Sequence, residues 1–94
     1  MSYRVEIELG VLAELKQLPR DVRASLRARI AALATDPHPP GAKRLTGTLR
    51  GSHRLRVRRV YRIGYEVDEE ARVVTVWSVG HRDRFYERAT RKRR

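Results

Sequence analysis

Three arginines lie at alternating positions that a pair of β-strands brings together. In the segment from His53 to Val67 (HRLRVRRVYRIGYEV), Leu55 and Val57 alternate with Arg54, Arg56 and Arg58, and Tyr61, Ile63, Tyr65 and Val67 alternate with Arg62, Gly64 and Glu66. A period of two is that of a strand with one buried face. The apolar set therefore faces a core, and Arg54, Arg56 and Arg62 emerge together on an open face where Gly64 adds no side chain. Guanidinium groups grip phosphate oxygens bidentately and stay protonated at neutral pH. A face lined with them has the character of a groove for a phosphate backbone.

The rest of the charge supports that reading. The chain has 94 residues, 22 of them Lys or Arg against 11 Asp or Glu, for a net charge of +11. Residues 43–62 hold eight basic residues and no acidic one, and residues 81–94 hold seven against two, whereas residues 1–42 are nearly balanced and 63–80 are acidic. Blocks of like charge repel unless something neutralises them, so a polyanion is the expected partner. Lys43, Arg44, Arg50, Arg58, Arg59 and Arg84 are expected to extend the contact with that polyanion.

Other chemistries find no support. With no cysteine there is no disulfide, thiolate metal site or cysteine nucleophile. His38, His53 and His81 have no metal-ligand spacing and the acidic residues do not cluster, so neither metal nor cofactor is expected. A Gly-rich phosphate loop, a nucleophile elbow and a Ser-His-Asp arrangement are all missing. The apolar runs fall far short of the roughly 18 residues that span a bilayer, and the N-terminus has no apolar signal region. A cytoplasmic protein with no membrane partner is expected.

The elements that must position the arginines follow from the same periodicities. Tyr3, Val5 and Ile7 alternate with Arg4 and Glu6 as a short strand. Val11, Leu15 and Leu18 mark a helix from about Leu9 to Leu18, which Pro19 ends. Val22, Leu26, Ile30 and Leu33 mark a second, with Asp21 in its first turn. Residues 35–52, with three Pro and three Gly, read as a long ordered loop. The two Arg-bearing strands form a hairpin turning at Arg58-Arg59-Val60, and Val73–Val79 is apolar enough for a central strand covered on both faces, with Trp77 in its core. The expected fold is α+β: an N-terminal strand, then an antiparallel helix hairpin packed on an antiparallel-rich sheet of about four strands, then a short C-terminal helix or tail. Residues 1–94 make one domain, with 91–94 a frayed basic tail.

This order of elements, with the segments ELKQLPRDVRASL, GAKRLTG, HRLRVRRVYRIGYEV and VWSVGHRDRFY, resembles the RelE/ParE superfamily of bacterial toxins over nearly the whole chain. The resemblance implies the toxin of a toxin-antitoxin system, neutralised by a cognate acidic antitoxin. In the RelE branch it implies an endoribonuclease that enters the ribosomal A site, cuts messenger RNA and so inhibits translation. In the ParE branch it implies a DNA gyrase inhibitor, and a catalytically inactive nucleic-acid-binding homologue is a third reading.

Carried over position by position, the resemblance puts Arg54 and Arg56 at the two basic positions of the first hairpin strand, where well-known members have Lys. It puts Arg62 in the Tyr-Arg pair of the next strand, Arg82 after the last strand and Tyr86 a few residues on. His81 stands where several members carry His. Cleavage through the 2′-hydroxyl of RNA needs a base, an acid and stabilisation of the charged phosphorane. Arg62 and Arg82 suit the last role, while Arg54 and Arg56 bind charge but cannot take the proton. Tyr86 as base, on family grounds, and His81 as acid are the expected pair, with a structural hydrogen-bonding role for His81 as the alternative.

Overall fold

The computed structural model describes residues 2–85. Five strands form one mixed sheet: β1 (Arg4–Ile7), β2 (Lys43–Arg44), β3 (Ser52–Val57), β4 (Tyr61–Asp68) and β5 (Val73–His81), in the order β1-β5-β4-β3-β2. Strand β1 runs parallel to β5 and the other neighbours are antiparallel. Two helices, α1 (Leu9–Lys16) and α2 (Arg20–Ala32), cover one face, and residues 82–85 are helical. The α+β class expected from the sequence is the one observed. The fifth strand comes from the long loop, in which Lys43–Arg44 pairs with β3 and Gly47–Leu49 forms a 3-10 turn.

The main core lies between helices and sheet. Val11 and Leu15 of α1 and Val22, Leu26 and Ile30 of α2 pack with Leu55, Val57, Ile63, Tyr65, Val74, Val76 and Val79. These are the apolar positions that the helical and strand periods select, each contributing about 1.5–3 kcal/mol through burial. Beyond the end of β1, the carboxylate of Glu14 on α1 accepts the backbone N–H of Val79 at 3.2 Å and so seats the helix on the sheet.

A bulge governs the second face. Gly64 pairs with Ser78 but Tyr65 with Val76, so Trp77 is an extra residue on β5. Strict alternation would set Val79 on the same face as Trp77. The bulge instead returns Val79 to the helix-side core with Val74 and Val76, while Trp77 joins Leu49 and Phe85 in a small second core on the far face. The Trp77 and Phe85 rings lie 6.2 Å apart.

Gly64 lies beneath these rings. A Cβ there would stand 2.9 Å from Phe85 Cζ and 3.1 Å from Trp77 Cζ2. The sequence suggests Gly64 as a bare backbone position in an open groove, but the structure fills it with aromatic carbon. The reason is burial: the far side of β5 is apolar at Trp77, and the turn at Gly47–Leu49 and residues 82–85 supply the cover.

The start of the loop is tied down by rings and one carboxylate. The Tyr65 hydroxyl donates to the Pro37 carbonyl at 2.8 Å, and burial pushes its pKa up to about 12, keeping the donor proton in place. His53 stacks on Tyr65 with centroids 5.4 Å apart, and His38 meets the edge of His53 at 5.3 Å. Glu69 accepts the Tyr3 hydroxyl at 2.6 Å and contacts His38 Nε2 at 2.7 Å. Burial, then the nearby His38 and Arg44, hold the His53 imidazole below its ordinary value of 6.5.

Two outcomes follow from this packing. Gly64→Ala forces the Phe85 and Trp77 rings apart, and calorimetry should show a loss of about 1–3 kcal/mol, typical of overpacking. His53 resists in the folded state a proton that the unfolded chain accepts near pH 6.5, so its contribution is intact above that pH and lost as the pH falls below it. Tm measured from about pH 7.5 down to about pH 5 should therefore fall. His53→Phe, which keeps the stack and removes the titration, should flatten that fall; an unchanged slope would acquit His53.

Candidate functional site

The register sets the basic residues of the far face side by side. Arg56 pairs directly with Arg62, Arg54 with Gly64, and Lys43 with Arg54. Like charges opposite one another on a sheet face destabilise it, so this arrangement works against folding unless an anion joins it. Burial sharpens the point. Arg54 is 8% exposed and Arg62 7% exposed, whereas Arg56 is exposed. Arg62 directs Nη1 at the carbonyl oxygens of Arg59 (3.0 Å) and Tyr61 (3.1 Å). Arg54 has no ion pair among the described residues, and its buried Nε has no hydrogen-bond partner among them.

The face is therefore not the uniformly open groove expected from alternation. Leu49, Trp77 and Phe85 occupy its middle. At its β1 side, Glu6, Glu66 and Asp68 line a depression of about 420 Å3 with Arg4. The far face thus runs from acidic at β1 to basic at β2 and β3.

The hairpin tip and the end of β5 add further cations. Arg58 and Arg59 both adopt left-handed backbone, with φ of 49° and 68°, a conformation costing roughly 1–2 kcal/mol for a residue with a Cβ. The turn is held from outside. Arg58 Nη1 bonds Asp21 Oδ2 of α2 at 3.0 Å, which lowers the Asp21 pKa, and the Arg82 N–H donates to the Val60 carbonyl at 2.6 Å. Arg59, Arg82 and Arg84 are exposed, and Arg82 Nε lies 3.6 Å from Asp83 Oδ1.

His81 lies on the other face. It pairs with Tyr61, its ring meets the Tyr61 ring edge-on at 5.6 Å, and Tyr61 packs on the helix-side core, whereas Arg62 points the opposite way. The structure thus joins Arg54, Arg56 and Arg62 but leaves His81 across the sheet from them. Its Nδ1 accepts the Asp83 N–H at 3.1 Å, with Asp83 Oδ2 at 3.4 Å from the same nitrogen. Tyr86 and the tail 91–94 lie outside the described residues.

Arg44 and Arg50 are separated from the far-face group. Arg44 pairs with His53 and shares its face, and both arginines line a pocket of about 700 Å3 with His38, His53 and Glu69. The sequence places Arg54, Arg56 and Arg62 on one face and expects Lys43, Arg44, Arg50, Arg58 and Arg59 to extend their contact, with no face assigned to these. The missing signal was the Lys43–Arg44 strand, too short at two residues to leave a period of its own. Among the described residues no three His, Cys, Asp or Glu side chains gather to hold a metal, and no helix is long and apolar enough to cross a membrane.

Comparison with known proteins places this arrangement in a family. A chain of the toxin-antitoxin complex RelBE2 from Mycobacterium tuberculosis superposes with a TM-score of 0.78 at 28% identity, over 87% of this chain and 100% of that one. The RelE-RelB complex from the archaeon Pyrococcus horikoshii OT3 gives 0.73 at 26%, over 89% and 99%. The isolated Escherichia coli RelE toxin gives 0.72 at 26%, over 97% and 98%. No curated protein sequence matches. Residues 5–86, however, match the profile of the ParE toxin of the type II toxin-antitoxin system parDE. With a RelE-like fold and a family match spanning most of its length, the chain belongs to the ParE toxin family within the RelE/ParE superfamily of toxin-antitoxin toxins.

Proposed function

We propose that this toxin cuts messenger RNA on the ribosome through the RNA's own 2′-hydroxyl. The observation that carries the reading is the far-face guanidinium group: Arg54, buried without an ion pair among the described residues, stands beside Arg56 and Arg62. A phosphate backbone supplies the missing negative charge. Fixed guanidinium groups contribute most where charge develops in the transition state, which suits Arg62, Arg56 and Arg82 to the phosphorane. None of them gives up a proton at neutral pH. Proton transfer falls to Tyr86 as base, a role carried over from the resemblance, while His81, across the sheet from the arginines and bonded to the Asp83 N–H, takes the structural hydrogen-bonding role.

The partner in the cell is an acidic antitoxin. The net charge of +11 calls for one, and the relatives from M. tuberculosis and P. horikoshii were solved as toxin-antitoxin complexes. The family match favours one second reading, inhibition of DNA gyrase, as the ParE resemblance implies.

Primer extension on messenger RNA from expressing cells separates the two. A-site cuts are expected; DNA damage without cuts would establish the gyrase reading instead. Arg56→Ala and Arg82→Ala should each slow cutting by roughly 10²–10³ without lowering Tm, because both side chains are exposed and Arg56 faces the like charge of Arg62. Arg62→Ala removes a buried side chain and should lower Tm as well. If roughly six phosphates are neutralised, log K for single-stranded RNA should fall against log salt with a slope of about −4; an affinity indifferent to salt would contradict the interface.

A further inference from the structure

The pocket of about 700 Å3 between the loop and the start of β3 has no part in the chemistry above. It lies where β2 turns Arg44 onto the same face as His53, and Arg50 lines it from the segment following the 3-10 turn. Its volume falls in the range of small-ligand sites, which combine apolar walls with a few placed polar groups. Leu45 and Val67 provide apolar wall. The imidazole of His53, kept neutral by burial and stacked on Tyr65, adds a flat ring at the base. Arg44 and Arg50 are exposed and have no ion pair among the described residues. Glu69 is engaged by Tyr3 and His38 and makes no ion pair with either arginine.

Two guanidinium groups without an ion pair among the described residues, on a cavity whose lining includes Leu45, Val67 and the His53 ring, match a ligand with a phosphate at one end and a heterocycle at the other. We infer that this pocket binds one nucleotide, its base against Leu45, Val67 and His53 and its phosphate at Arg44 and Arg50. His53 and Arg56 are three residues apart on β3 but on opposite faces of the sheet, so an RNA strand that joins this pocket to the far-face arginines has to pass round the β2 edge. That the occupant belongs to an RNA strand rests on the proposed function; the affinity for a nucleotide does not.

Methyl and imidazole NMR of the full chain tests it, with adenosine 5′-monophosphate as probe. Saturable shifts are expected at the Leu45 and Val67 methyls and the His53 ring. Affinity should drop about tenfold in Arg44→Ala or Arg50→Ala, the effect of about 1.4 kcal/mol of lost contact. Both side chains are exposed, so the variants should retain the folded spectrum. Adenosine and inorganic phosphate should each bind at least about tenfold more weakly than the monophosphate. Phosphate binding as tightly as the nucleotide, unmoved Leu45 and Val67 methyls, or undiminished affinity in both variants would overturn the inference. The trinucleotide ApApA identifies the source: tighter binding than the monophosphate, with displacement of it, assigns the pocket to an RNA strand, and weaker binding assigns it to a free nucleotide. Failure of messenger RNA cutting with nucleotide binding intact would thus sink the proposed function alone.

Discussion

The Phe85 ring resting on the bare backbone of Gly64, with Trp77 beside it, is the contact on which the functional face depends. It fastens residues 82–85 back across the sheet and so determines where Arg82 and Arg84 emerge. It closes the middle of the far face, on which Arg54 and Arg62 are buried and Arg56 is exposed. It also requires the bulge, because only an extra residue on β5 carries Trp77 to this face while Val79 stays in the main core. An indole and a phenyl ring bury far more apolar surface than one cross-strand pair, which offsets the disrupted ladder.

Around that contact the sheet holds charge in a way that works against its own stability. Arg56 faces Arg62, Lys43 faces Arg54, and Arg58 and Arg59 adopt backbone that residues with a Cβ disfavour. The stabilisation comes from elsewhere: the helix-side core, the Asp21 carboxylate on Arg58, the Glu14 carboxylate on Val79 and the carbonyls that accept from Arg62. Strain and like-charge contact held in place by a well-packed scaffold are found where proteins bind and react. Likeness at 26–28% identity with TM-scores of 0.72–0.78 shows that the scaffold withstands extensive sequence change. Packing tolerates any apolar set of suitable volume, whereas a charged face has to match its partner group by group.

Register divides the cations as firmly as it gathers them. Lys43 and Arg44 are neighbours in the chain, yet one pairs with Arg54 on the far face and the other with His53 on the opposite side. The same alternation separates Tyr61 and His81 from Arg62. A linear count of positive charge describes the attraction to a polyanion, but two different surfaces share it.

Much of the protein was legible in the residues alone. Periods of two and 3.6 place β1, both helices and the three long strands, because side-chain direction in a regular element is a local property of the backbone. The adjacency of Arg54, Arg56 and Arg62 followed from the same alternation and a short hairpin turn. What lay beyond the sequence depends on contacts between distant residues. The two-residue strand Lys43–Arg44 exists only because β3 offers an edge. The bulge at Trp77 and the filling of Gly64 arise where residues 49, 77 and 85 meet. The pocket of His38, His53 and Glu69 joins three loop or strand ends. Local periodicity reports which way a side chain points, and only the packing of remote segments decides what it meets there.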